Sequence, residues 1–311
     1  MLYCLHMYHR CKQKLFLMIL VINLLLIITS VFIIHRKSLF QAGDTNMQFQ
    51  SGDSTKLIVA IGGGITSNKL SEVEAASVTE KFPLFTMLLP SFCKTVTDEW
   101  QTYIYRFYLA YDATDQYFSH AYNRKAFQAE FHKVIKQHCL PETASVLHLL
   151  ECAYSGRPAW AQNDAMIAAY LNGADYFYRL NDDTVLSTAN WLPSFTTVLS
   201  SYQPKNIGVV GPTHDSGNLK ILTYDFVHRT HIEIFGFYYP RVFTDWFADD
   251  WITYVYAPQH VTKLANVSIE HRSLLGQRYF YDPAKARHLL NQIVSDRYTL
   301  ARQVRKDTSV C

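Results

Sequence analysis

Four short apolar runs, each followed by a polar or glycine-rich break and then a helical pattern, constrain this chain more than anything else in it. KLIVAIGGG (56–64) is a buried-strand pattern running into a glycine turn. YIYRFYLAYDATD (103–115) is aromatic, alternates poorly and ends in acids, which predicts a central strand. SVLHLLE (145–151) and ADYFYRL (174–180) read as the third and fourth strands. Between them, FPLFTMLLPSF predicts a helix with a break near Pro90. Phe127, Phe131, Val134 and Ile135 recur at helical spacing within 122–137. PAWAQNDAMIAAYLNG (158–173) opens on Pro and closes on Gly, the punctuation of a helix. Strands alternating with helices predict an α/β fold: a Rossmann-like, mostly parallel sheet covered on both faces. Such sheets bind ligands at the carboxyl ends of their strands.

The fourth strand ends in Asn181-Asp182-Asp183. Carboxylates beside a core are costly unless a positive charge meets them. The triplet is therefore either an exposed turn or a cation holder, and its place at a strand's carboxyl end favours the second. The later half is less regular. NIGVVGP (206–212) predicts a strand and turn, and residues 219–243 mix β-type and polar residues without a clear period. A second acidic pair, Asp249-Asp250, sits between Trp246 and Trp251. NVSIEHRSL (266–274) follows, then an amphipathic helix from about Pro283. No internal repeat or low-complexity segment is present. Gly62-Gly63-Gly64 lacks the spacing of a dinucleotide-binding loop.

The first 55 residues are of another kind. LFLMILVINLLLIITSVFII (15–34) is twenty residues interrupted only by Asn23, Thr29 and Ser30, long enough to cross the ~30 Å hydrocarbon core of a bilayer. Arg10, Lys12 and Lys14 precede it, and Arg36 and Lys37 follow it. This predicts a cytoplasmic tail (1–14), a single transmembrane anchor (15–34), a polar stem (35–55) and a luminal body (56–311). A cleaved signal peptide is the competing reading, but its apolar core is usually shorter. The overall charge of +3 is carried by the tail and flanks; the remainder, with 24 basic and 26 acidic residues, is −2. A near-neutral body excludes an electrostatic case for nucleic-acid binding. Asn266-Val267-Ser268 is a glycosylation sequon, and Cys93, Cys139, Cys152 and Cys311 can pair in an oxidising lumen with connectivity left open.

The order and strand context of these motifs resemble the GT-A nucleotide-sugar glycosyltransferases over roughly residues 56–275. Gly156-Arg157-Pro158-Ala159-Trp160-Ala161-Gln162-Asn163 opens a helix where that family often shows a Gly-basic-x-x-x-x-Asn-like stretch. Asn181-Asp182-Asp183 occupies the place of its DxD-type motif, Ala248-Asp249-Asp250-Trp251 that of its later acidic pair, and His271 that of a third metal ligand. The tail, anchor, stem and body match the type II layout of Golgi members. The triplet departs from Asp-x-Asp, and the second pair is Asp-Asp where Glu-Asp is common.

The resemblance implies a hexosyltransferase that moves a sugar from a nucleotide diphosphate sugar, UDP-linked by family frequency, to a hydroxyl of a glycan or glycoprotein, with inversion. A departing nucleoside diphosphate needs a divalent cation across its phosphates, so the protein supplies only one to three ligands. Asp183 is the expected direct ligand, with His271 and Asp182, and imidazole beside carboxylate favours Mn²⁺ over Mg²⁺. Asn181, Asp182, Asp112, Arg157 and Asn163 are expected around the nucleotide sugar. Asp250 is the expected base, with Asp249 as neighbour or alternate. Trp246 and Trp251 offer a platform for a sugar face or the acceptor. His228 and His231 are assigned to structure or acceptor contacts. Two rivals stand: a nucleotidyltransferase of similar fold, for which the region after Gly64 offers only Lys69, and an inactive membrane-tethered carbohydrate-binding or adhesion module.

Overall fold

The computed structural model describes residues 56–67, 80–96, 101–139, 145–272 and 283–308. These all belong to the second of two compact units, Thr55–Cys311. The apolar run 15–34 and the stem 35–55 lie outside the described residues. Among those that are described, no helix is long and apolar enough to cross a membrane.

Among the described residues eight strands form one sheet: β1 (Leu57–Gly64), β2 (Tyr103–Asp112), β3 (Ser145–Cys152), β4 (Tyr176–Arg179), β5 (Thr184–Leu186), β6 (Val209–His214), β7 (Phe226–His228) and β8 (Val261–His271). Their spatial order is β3-β2-β1-β4-β7-β6-β8-β5. The predicted parallel part is present, since β1 pairs in parallel with both β2 and β4, and β2 with β3. Beyond β4 the sheet turns mixed. β7 is antiparallel to β4 and β6, and β5 is antiparallel to β8, while β6 and β8 run parallel. Four of the seven pairings are parallel, as expected, and the antiparallel ones are short, so the sheet as a whole is mixed. β7 is a three-residue strand inside the stretch whose period was unreadable. β2, expected to be central, lies one strand from the β3 edge, while β1 and β4 sit further in. Its aromatic richness reflects burial on both faces, which makes a strand read as continuously apolar whatever its place in the sheet.

Alternation along the strands builds two cores. Val59 and Ile61, Tyr105, Phe107 and Leu109, and Tyr176 and Tyr178 face one side. There they meet a π-helical turn (Leu84–Leu88) continuing into α1 (Leu89–Thr95), together with α2 (Ala121–His138) and α4 (Trp191–Ser201). The predicted break near Pro90 is this change from π to α winding, with Pro90 in the first turn of α1. Ala60, Tyr108, Ala110 and Phe177 face the other side, where α3 (Pro158–Leu171), α5 (Thr230–Phe235), α6 (Ala248–Tyr256) and α7 (Ala286–Thr308) pack. The glycines that end β1 are packing devices. A methyl at Gly62 would lie 1.9 Å from the Tyr108 carbonyl oxygen, and one at Gly64 would lie 3.3 Å from Cβ of Ala161. At Gly62 only glycine lets the neighbouring strand approach this closely, while at Gly64 a methyl would sit tight against α3.

Cys93 of α1 is bonded to Cys139 after α2, tying two helices of the first core, and Cys152 is a buried thiol. The bridge spans 46 residues. Closing a loop of that length restrains the unfolded chain by up to about 4 kcal/mol. Cys93→Ser is expected to lower stability by about 2–4 kcal/mol in urea denaturation. A reductant should produce the same loss in the wild type and no further loss in the variant.

Candidate active site

The carboxyl ends of the parallel strands open into a cavity of about 590 Å³. Gly64 comes from β1, Ala110 and Asp112 from β2, and Arg179 from the end of β4. Asn181, Asp182 and Asp183 follow it on the next turn. Pro158, Ala161 and Gln162 of the first turns of α3, Asp245 and Trp246, Asp249 of α6 and His271 of β8 complete most of the wall. The sheet therefore gathers residues from across the sequence to the edge where open sheets hold ligands.

Strand pairing brings His271 to Asp183. In the antiparallel β5–β8 ladder Thr184 faces His271, so the residue before Thr184 lies beside the imidazole. Nε2 of His271 is 3.4 Å from Oδ1 of Asp183. Asp182 and Asp183 are both buried. Asp112 accepts from the Gly156 backbone N–H at 2.8 Å and the Ser155 hydroxyl at 3.2 Å. Asp245 is met by Lys285 at 2.6 Å. Asp115 is buried and accepts from Ser67 N–H and hydroxyl, the Thr66 hydroxyl and the Tyr117 and Phe118 N–H groups. It fixes the loop after β1 against the loop after β2, next to Thr66 on the cavity wall.

Arg179 has no counterpart in the sequence-based expectations. It ends β4 on the same face as Phe177, almost wholly buried, 3.7 Å from the fully buried Asp225 just before β7. Asp225 also accepts from the hydroxyls of Tyr238 and Tyr239. Burial pulls the Arg179 guanidinium down, but Tyr239, Asp225 and Asp249 outweigh it and leave its pKa raised. Burial pushes the Asp225 carboxyl up to about 6, against the pull of Arg179 and the two tyrosine hydroxyls. The guanidinium also donates to Asn181 Oδ1 at 3.1 Å. An aromatic strand ending in an uncharged-looking run with one Arg was the only sequence signal available for it.

Of the second acidic pair, Asp249 lines the cavity and Asp250 does not. Helix α6 starts at Ala248, so successive residues point about 100° apart and both acids cannot face one way. Phe247, a non-glycine residue with φ 76°, makes the left-handed turn that sets this phase. Burial, then the neighbouring Asp249, pushes Asp250 up to about 6.

Other expected residues are placed differently. Trp251 is fully buried and donates its indole N–H to Asp296 at 3.0 Å, so it has no face for a sugar. Trp246 is 37% exposed on the cavity wall and keeps one. Asn163 is buried, its oxygen accepting from Tyr238 N–H at 2.9 Å and Tyr239 N–H at 3.2 Å, which fixes the loop carrying those tyrosines rather than a ligand. Arg157 is exposed, stacked 4.2 Å above Trp160, and lies off the cavity wall. His231 is buried between Tyr256 and the Tyr238 carbonyl, with its pKa pushed down to about 4 by burial, and serves the core. Asn266 is exposed on β8.

Among the described residues no three His, Cys, Asp or Glu side chains form a ready-made metal cluster. The donor set nonetheless fits a divalent cation that is held jointly with a ligand. One carboxylate and one imidazole converge at 3.4 Å, and phosphate oxygens and water can complete the shell.

No protein-family model matches the chain, and no curated protein matches it. Among solved structures it is similar to the crystal structure of S. aureus TarS, with a TM-score of 0.47 and 12% identity, over 78% of this chain and 39% of that one. It is also similar to S. aureus TarS 1-349 in complex with UDP, with a TM-score of 0.46 and 12% identity, over 78% of this chain and 65% of that one. The chain spans less than two thirds of the length of either.

Asp225 and Asp250, both raised to about 6, hold protons in the folded state between about pH 4 and 6 that an unfolded chain has released. Their contribution to stability is complete below about pH 4 and falls as pH rises through 6. Asp250→Asn should flatten this part of the melting temperature–pH curve. An unchanged slope would mean that folding does not raise the Asp250 carboxyl above its unfolded value.

Proposed function

We propose that this cavity takes a nucleoside diphosphate sugar, UDP-linked by preference, together with a divalent cation, and transfers the sugar with inversion to a hydroxyl of a glycan or glycoprotein. One observation carries the reading. The Asp183–His271 pair, Arg179 and Asp249 line a single cavity at the carboxyl ends of the parallel strands. A cation-and-phosphate side and a carboxylate for the acceptor thus share one space.

Asp183 and His271 would hold the cation, with Asp182 beside them. Mn²⁺ suits this mixed oxygen and nitrogen set, and Mg²⁺ is the alternative. When bound, the cation neutralises charge on the leaving diphosphate. The protein's own part is positional and protolytic. Asp249 takes the proton of the acceptor hydroxyl while that oxygen bonds to the anomeric carbon. The bond from that carbon to the phosphate oxygen breaks, and its electron pair leaves with the nucleoside diphosphate. Trp246 offers its exposed face to the sugar or acceptor and helps exclude water, which would otherwise hydrolyse the donor. Asp112, on the wall at the end of β2, would meet the nucleoside end of such a ligand.

The surroundings proposed for this activity are a Golgi or other secretory-pathway membrane, with the body luminal, tethered by the single span at 15–34 and carrying a glycan at Asn266. The Cys93–Cys139 bond supports an oxidising compartment.

Asp183→Ala should abolish Mn²⁺-dependent hydrolysis of sugar nucleotides without loss of folding. Equal turnover in chelator and in Mn²⁺ would remove the cation from the reading. Asp249→Asn should keep nucleotide binding and reduce transfer about 100- to 10,000-fold, whereas Asp250→Asn should retain most of it. The opposite ranking would return the base to Asp250. In sealed microsomes the body should resist protease until detergent is added, and cleavage without detergent would overturn the luminal assignment.

A further inference from the structure

The first position of the acidic triplet is Asn181 rather than an aspartate, and the structure supplies a physical reason for an amide there. Arg179 is held from behind. Its Nε lies 3.2 Å from the Tyr239 hydroxyl and 3.7 Å from Oδ2 of Asp225. Asp225 is in turn gripped by the hydroxyls of Tyr238 and Tyr239. With that edge fixed, another N–H of the guanidinium points at Asn181, 3.1 Å from its Oδ1. A guanidinium carries only donors, so the atom of Asn181 that faces it must be the carbonyl oxygen. The amide cannot flip without setting N–H against N–H beside a buried cation. Its NH₂ group is therefore left as the polar group Asn181 offers to the cavity, which both residues line. Asp182 and Asp183, next in the chain, can only accept while ionised.

We propose that Arg179 is a positioning residue that locks the Asn181 amide with its NH₂ turned into the cavity, making Asn181 a fixed hydrogen-bond donor to an oxygen of the bound nucleoside diphosphate. The proposal rests on the nucleotide-sugar reading above and deepens it. It divides the triplet by chemistry: its first member donates to the nucleotide, and its later carboxylates face the cation. An aspartate at 181 would pair with Arg179 and turn its other oxygen towards the nucleotide, replacing a donor with a second acceptor.

The test is titration of UDP into the full-length chain in the presence of Mn²⁺, with melting temperature as the check on folding. Asn181→Asp should weaken UDP binding at least about tenfold, and Asn181→Ala should weaken it less. If position 181 instead faces the cation, the added carboxylate should tighten Mn²⁺-UDP binding, and binding equal to or tighter than wild type overturns the proposal. Arg179→Lys keeps the charge but cannot hold Asp225, Tyr239 and Asn181 at once. It should weaken UDP binding in the wild-type background and cost nothing further in Asn181→Ala, as coupled partners do. Additive losses would show that Arg179 acts without Asn181 and would overturn its positioning role. Absence of any UDP binding by the wild type would overturn the nucleotide reading and this inference together. Intact wild-type binding with an insensitive Asn181→Asp overturns only the inference.

Discussion

The ion pair of Arg179 and Asp225 is the interaction on which the site depends. A guanidinium inside a sheet is tolerated only when a carboxylate and further hydrogen-bonding groups replace the water it has lost. Asp225 meets it just ahead of β7, and Tyr238 and Tyr239 hold that carboxylate from the other side. Asn163, on α3, in turn fixes the backbone of both tyrosines. A chain of contacts therefore runs from α3 through the tyrosine loop to Asp225, across to Arg179, and out to Asn181 on the cavity wall. Removing a member near the middle would leave a buried charge without its partner.

The second constraint is close approach. Glycines at the end of β1 let β2 and α3 come in until a single methyl at Gly62 would collide with a backbone carbonyl. This brings the first turn of α3 to the cavity wall and leaves room at the sheet's edge for a ligand. Asp115 completes the frame by gathering five donors from the two loops above β1 and β2. Irregular backbone at a ligand site needs such fixing, because each loop carries polar groups that the sheet does not satisfy.

The cavity is strongly acidic. Asp112, Asp182, Asp183, Asp245 and Asp249 line it, against one guanidinium and one imidazole. Lys285 meets Asp245, backbone and hydroxyl donors meet Asp112, and His271 lies beside Asp183. Under the nucleotide-sugar reading proposed above, such a surface would disfavour a bare diphosphate and favour one that arrives with a divalent cation.

The features legible in the sequence were those set by local rules. Pattern and punctuation located β1 to β4 and the helices between them, because an element's period and its Pro or Gly stops lie within a few residues of one another. The same reasoning placed Asn181-Asp182-Asp183 at a strand end, the position that makes an acidic run informative. Asp225 as the partner of Arg179 was not legible, since the two are joined only through the β4–β7 pairing, and β7 is too short to announce itself. Which acid of Asp249-Asp250 faces the cavity depends on the phase of α6, set by the left-handed turn at Phe247. Trp251 lies on the face of that helix that packs into the core, while Trp246, before the helix, stays on the cavity wall. The sequence by itself determined the elements up to β4 and where an acidic run would lie, because periodicity and turn chemistry act over short range. Only the tertiary structure decided which side chains meet there, because facing is a property of strand register and helix phase, and both are fixed by packing against distant residues.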